Sequence, residues 1–164
     1  MAPLLGRRRD SARSERAFES ALARLESELD QACAAGEEWP ANVIAAVRAG
    51  FEFAAREPAA ARLLVIDSLP DPTDSRPYDR LIDQLAAKLR QASAGHPLPG
   101  TLQERPLIGG VLGLVAIRLT LDQAPTLPTV ALEAAEFLLA PYLGDEGTRQ
   151  RIAGAVDRSL SQGS

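Results

Sequence analysis

The chain holds 164 residues with a formal net charge of −4, 46% of them hydrophobic and 24% charged, enough for one domain with a core of its own. The acidic balance argues against nucleic acid as the main partner, because that binding runs on excess cationic charge. A single cysteine, Cys33, excludes an intrachain disulfide and a cysteine-rich metal site.

Aromatic residues make up only 4% of the chain, and Ala and Leu dominate its apolar set, a mix that favours helices over strands. The apolar run Met1 to Leu5 ahead of Arg7-Arg8-Arg9 is too short for a signal peptide. No stretch reaches the roughly 18 apolar residues of a membrane span, so a cytoplasmic protein with no membrane partner is expected.

Residues 1–13 carry Arg7, Arg8, Arg9 and Arg13 against Asp10 and show no apolar period, which predicts a disordered basic arm. From Ser14, Phe18, Leu22, Leu25, Leu29 and Ala32 recur at helical spacing, and Cys33 falls on the same apolar side as a small buried hydrophobe. Gly36 predicts the stop. Trp39-Pro40 opens a second helix, with proline in the first turn where its missing N–H costs nothing. Its stripe is Val43, Ile44, Val47, Phe51 and Ala54. Glu57-Pro58 repeats the break and predicts a short third helix through Ala61, Leu64, Val65 and Ser68.

Leu69 to Pro77 reads as a loop on its prolines and aspartates. A fourth helix is predicted from Arg76 to Ala92, with Tyr78, Leu81, Ile82, Leu85 and Leu89 on one side. Gly95 to Gly100 forms a second loop. The fifth helix, from Thr101 to Leu121, is apolar nearly all round between Leu107 and Leu119, so it is expected to be covered on several sides, within the domain or by a partner. A sixth is predicted from Val130 to Leu143, and Ile152, Val156 and Leu160 mark a weak C-terminal helix. The domain is thus placed at 14–144, with 145–164 a weak helix and tail. The fold class is all-α, a bundle of about six main helices.

Four segments, in order, resemble the C-terminal effector domain of the TetR family of transcriptional regulators. Trp39-Pro40 followed by an apolar helix is similar to the family's common entry to its fifth helix. Phe51 to Leu63 resembles its helix, acid-proline, short-helix junction. Leu107-Ile108-Gly109-Gly110-Val111-Leu112-Gly113-Leu114-Val115 and Phe137-Leu138-Leu139-Ala140-Pro141-Tyr142-Leu143-Gly144 resemble its last two helices. The resemblance covers roughly Arg16 to Gly144. The family's helix-turn-helix head is not visible ahead of it, so the chain as given is not expected to bind an operator.

The resemblance implies a dimer through the last two helices, which here places Gly109, Gly110, Gly113, Ala116, Phe137, Leu138, Pro141 and Tyr142 at the interface. Each helical glycine costs about 1 kcal/mol against alanine, and small residues at four-residue spacing repay that by letting two backbones approach. Close packing inside one subunit would serve equally. The family also encloses a ligand between its middle helices, which points to Phe51, Leu64, Tyr78, Ile82, Leu85, Ile108, Leu112 and Val115 as lining. Those are equally the residues any six-helix core would bury. Asp67 and Arg118 interrupt apolar runs; each either turns to solvent at a helix edge or offers a polar handle to a ligand.

His96 is the single histidine, so no histidine-based metal cluster or histidine pair for acid/base work is expected. Asp71, Asp74 and Asp79 do not fit a calcium loop. Glu37-Glu38 reads as a solvated pair near a helix start, and Trp39 as a core anchor. No phosphate loop, nucleophile elbow or helical metal motif is present, so no enzyme and no cofactor is expected. The functional expectation is a TetR-like regulator reduced to its sensing and dimerising half. It would take a small apolar or aromatic effector, or pair with itself or with a full-length relative. A fragment of an ordinary repressor with a misassigned start is the alternative, and a small helical carrier or enzyme a third.

Overall fold

The structure, a computed structural model, describes residues 2–33, 38–68 and 76–162, with side chains from Asp10 onward. Among the described residues there are six α-helices, one 3-10 turn and no strand. They are α1 (Ala2–Cys33), α2 (Trp39–Arg56), α3 (Pro58–Val65), α4 (Arg76–Ala92), α5 (Glu104–Thr120) and α6 (Leu127–Gln162), the turn being Ala124–Thr126. The stop expected at Gly36, the pair member Glu37, and 69–75 of the expected loop, with Asp71 and Asp74, lie outside the described residues.

The segment expected as a basic arm is helical from Ala2. Ala, Leu and Arg are all strong helix formers, so local propensity carries the helix back without an apolar stripe to hold it. Further along, Phe18, Ala21, Leu22 and Leu25 are buried, and α1 lies against α2 and α3.

α2 is the central element, packed most extensively on α6 and α1. Pro40 sits in its first turn and Pro58 opens α3. Between them the Glu57 N–H donates to the Phe53 carbonyl at 2.8 Å, closing α2, while the Ala61 N–H donates to the Glu57 carbonyl at 3.0 Å, starting α3. The chain turns sharply there because Pro58 has no N–H with which to continue the ladder.

α4 lies on α5, and Arg105 of α5 pairs with Asp79, at 3.1 Å, and with Asp83 of α4. Arg90 meets Glu104 at 3.0 Å near the other end. The Arg62 guanidinium donates to the Leu119 carbonyl at 2.8 Å, filling one of the acceptors left open at the end of α5.

α6 begins at Leu127, ahead of the expected Val130, and runs on past the expected end at Leu143. Gly144 interrupts it with φ 72° and ψ 168°, a backbone that an L side chain rarely adopts. The expected C-terminal segment continues beyond that kink as helix. Thr148 is fully buried and donates to the Gly144 carbonyl at 2.7 Å. Ala155 is buried, whereas Val156 and Leu160 of the expected stripe are exposed. The leg is tied to α2 by Arg151 with Glu38 and by Arg48, which donates to Ser159 at 2.8 Å. No helix among the described residues is long and apolar enough to cross a membrane.

Candidate functional site

A cavity of about 330 Å³ opens among all six helices, within the range of small-molecule sites. Its wall is set by side-chain size. On α2 and α3 the inward positions include Ala46, Gly50, Ala54 and Ala61, and opposite them stand Leu25 and Leu29 of α1, Leu85 and Leu89 of α4, and Ile108, Val111, Leu112 and Val115 of α5. Native cores pack to the density of organic crystals by setting large residues against small ones until the space closes. Here the aliphatic residues do not reach across. A Cβ at Gly50 would still stand 3.5 Å from Leu29 Cδ2, an ordinary contact, so the glycine keeps space clear rather than relieving a clash.

Among the described residues, five polar ones border the cavity: Asp30, Cys33, Asn42, Lys88 and Gln91. They gather at one end, where α1 and α4 finish and α2 begins. Lys88 Nζ lies 2.6 Å from Asp30 Oδ1. The Cys33 thiol donates to the Asn42 carbonyl at 3.6 Å. Burial pushes that thiol up from its ordinary pKa; Asp30 pushes it further and Lys88 pulls it back. Asp30, Gln91 and Ala92 are exposed, so this polar end is also the mouth.

Of the expected lining residues, Phe51, Leu64, Leu85, Ile108, Leu112 and Val115 meet at the cavity. Tyr78, Ile82, Asp67 and Arg118 do not border it. Ile82 is buried elsewhere in the core. Tyr78 is half-buried in the first turn of α4, and burial, with Asp79 beside it, raises its pKa. Asp67 is exposed just after α3. Arg118 binds Gln123 Oε1 at 3.3 Å and Thr126 Oγ1 at 3.2 Å, bracing the turn into α6. Neither charge offers a handle to the cavity.

Sequence reasoning missed the contribution of α1 and the whole polar mouth. Leu25, Leu29 and Cys33 were legible as apolar positions on α1, but their facing a cavity depends on where α4 crosses. Lys88 and Asp30 look in sequence like solvated charges on two unrelated helices. One signal was available: Lys88 is the single lysine of an otherwise arginine-only chain.

The expected interface residues divide into two groups. Leu138 is buried and borders the cavity, and Tyr142 is half-buried with its ring edge-on to Trp39 at 5.3 Å, so both face into the subunit. His96 also packs on Trp39, with its ring tilted and the centroids 5.3 Å apart. Pro141 and Ala116 are half-buried. Gly110 does serve close packing within the subunit: a Cβ there would come within 3.0 Å of the Phe137 ring. Gly109 and Gly113 have nothing within 4 Å of where a Cβ would be. Beside them Ile117 and Leu121 are each 59% exposed and Phe137 is 49% exposed. An apolar strip with small residues therefore faces outward along α5 and α6.

Among the described residues no group of three or more His, Cys, Asp or Glu side chains could hold a metal ion. Comparison with known proteins finds no matching family model, no matching curated sequence and no matching solved structure.

Proposed function

We propose that this chain is the small-molecule-sensing and pairing domain of a TetR-like transcriptional regulator, with a small apolar or aromatic effector held in the cavity. The apolar cavity carries the proposal. At about 24 cal/mol per Å³ of unfilled core, even part of a volume near 330 Å³ forgoes on the order of several kcal/mol of packing. Domains are held by only about 5–15 kcal/mol in total. A bundle that needed nothing but a core would close this space with larger side chains than Gly50, Ala46, Ala54 and Ala61.

The outward apolar strip on α5 and α6 supports the pairing half, with a second copy or with a longer relative that carries the DNA reader. A mixed dimer has one reader for two half-sites, which weakens its hold on a palindromic operator. An effector then acts by its differential affinity for the two arrangements of the pair. The four family-like segments support a regulator over a simple carrier.

Thermal unfolding in the presence of small apolar and aromatic compounds tests this. A ligand at roughly 100 times its Kd adds about 2.7 kcal/mol to the folded state. Leu112→Trp, which fills the cavity, is expected to abolish that gain while the chain remains folded. A compound set with no stabilising member, or a Leu112→Trp protein that responds like its parent, removes the proposal. Sedimentation checks the pairing half: Ile117→Asp is expected to yield single chains, and a parent already monomeric at high concentration removes it.

A further inference from the structure

Among the described residues, Lys88 and Asp30 are the only charged ones that border the cavity, and they are not equivalent. Asp30 is 67% exposed and Lys88 34%. Lys88 lines the cavity and its ammonium meets Asp30 at the mouth, a position from which a lysine can lay its aliphatic stem on apolar surface and keep its charge near water. The Asp30 carboxylate can swing into water at small cost, because an exposed ion pair is worth little. The ammonium remains at the cavity when it does. Asn42 and Gln91 add side-chain amides at the same end, groups that donate to an anion.

We infer that the cavity takes a small apolar molecule ending in a carboxylate, whose head group replaces Asp30 on the Lys88 ammonium while its hydrocarbon body fills the aliphatic wall. This rests on the cavity being a ligand site. A volume of about 330 Å³ equals roughly eleven water-sized groups of about 30 Å³, which is the size of a medium-chain fatty acid or a small aryl-alkanoic acid. Cys33 does not compete for the position: its thiol, raised by burial, stays neutral beside the head group.

Calorimetric titration of the full chain with octanoate, octanol and octylamine separates the end group from the chain. Octanoate is expected to bind about tenfold more tightly than octanol, one charge-assisted hydrogen bond's worth, with octylamine weakest. Lys88→Met should bring octanoate down to the level of octanol while leaving octanol binding unchanged, which also reports an intact cavity. Lys88→Arg should keep the preference, and Asp30→Asn, by removing the competing carboxylate, should tighten octanoate several-fold. Octanol or octylamine matching octanoate, or Lys88→Met binding octanoate like its parent, would overturn the inference and leave the cavity as a neutral-ligand site. Failure of all three compounds to bind would overturn the ligand site itself.

Discussion

On α5, Ile108, Leu112 and Val115 are buried against the cavity, whereas Ile117 on the same helix stands 59% exposed and Gly109 and Gly113 face open space. Both sides are apolar, yet only one is covered within the subunit. The inner side uses branched aliphatic residues, which border a space without filling it. The outer side uses glycines flanked by large exposed hydrophobes, a surface that loses least when another backbone lies on it. The all-round apolarity of this helix is therefore divided between a covered side and an exposed one.

The largest effect that distinguishes the two sides is expected from truncation. Leu112→Ala should cost about 2–3 kcal/mol by urea denaturation, at the low end of buried leucine truncations because the side chain already borders empty space. Ile117→Ala should change a dilute single chain by no more than about 0.5 kcal/mol. Equal costs for the two would mean that the outer side is covered after all. If Ile117→Ala costs more as protein concentration rises, the cover is a second copy.

Glycine replacement gives the next largest effect. Gly113→Ala should stabilise the single chain by up to about 1 kcal/mol, since helix propensity improves and no neighbour lies within 4 Å. The same change should weaken any pairing that depends on close backbone approach. Gly110→Ala should gain less, because the Phe137 ring must move aside.

On the inner side, Gly50→Ala introduces a Cβ at ordinary contact distance from Leu29. A gain of about 0.5–1 kcal/mol in the ligand-free protein is expected, together with a smaller stabilisation by ligand as the cavity shrinks. A ligand response that stays the same would place the bound molecule away from α2.

The smallest expected effect is in the alkaline range. Burial raises Cys33 from 9.0, and Tyr78 and Tyr142 from 10.0. The unfolded chain therefore releases these protons first, so their contribution is complete below pH 9.0 and is lost as pH climbs through the raised values. Spectrophotometric titration can follow each group. A ligand in the cavity should shift the Cys33 transition further up and leave that of Tyr78, outside the cavity, in place. Identical behaviour of the two would show that the ligand does not reach Cys33.

Much of the helical plan was legible in the sequence, and for local reasons. Apolar spacing located the first five helices, and Pro40 and Pro58 fixed two starts, because each acts within a turn of its own position. The arm was misjudged for an equally local reason: residues 1–13 lack an apolar period, but they do not lack helix formers, and the helix begins at Ala2. In the cavity, Phe51, Leu64, Leu85, Ile108, Leu112 and Val115 could be named in advance because any buried stripe qualifies.

Composition and periodicity alone determined that this chain folds as an all-α bundle, with one helix apolar on every side and few aromatic rings to fill its interior. Only the tertiary structure decided that the interior stays partly open, that Lys88 and Asp30 meet at its mouth across a separation of 58 positions, and that Leu138 turns inward while Ile117 turns out. Helix formation depends on neighbours three and four residues apart, which a sequence displays directly. The closing of a space and the pairing of two distant charges depend on how helices cross, and no local pattern carries that information.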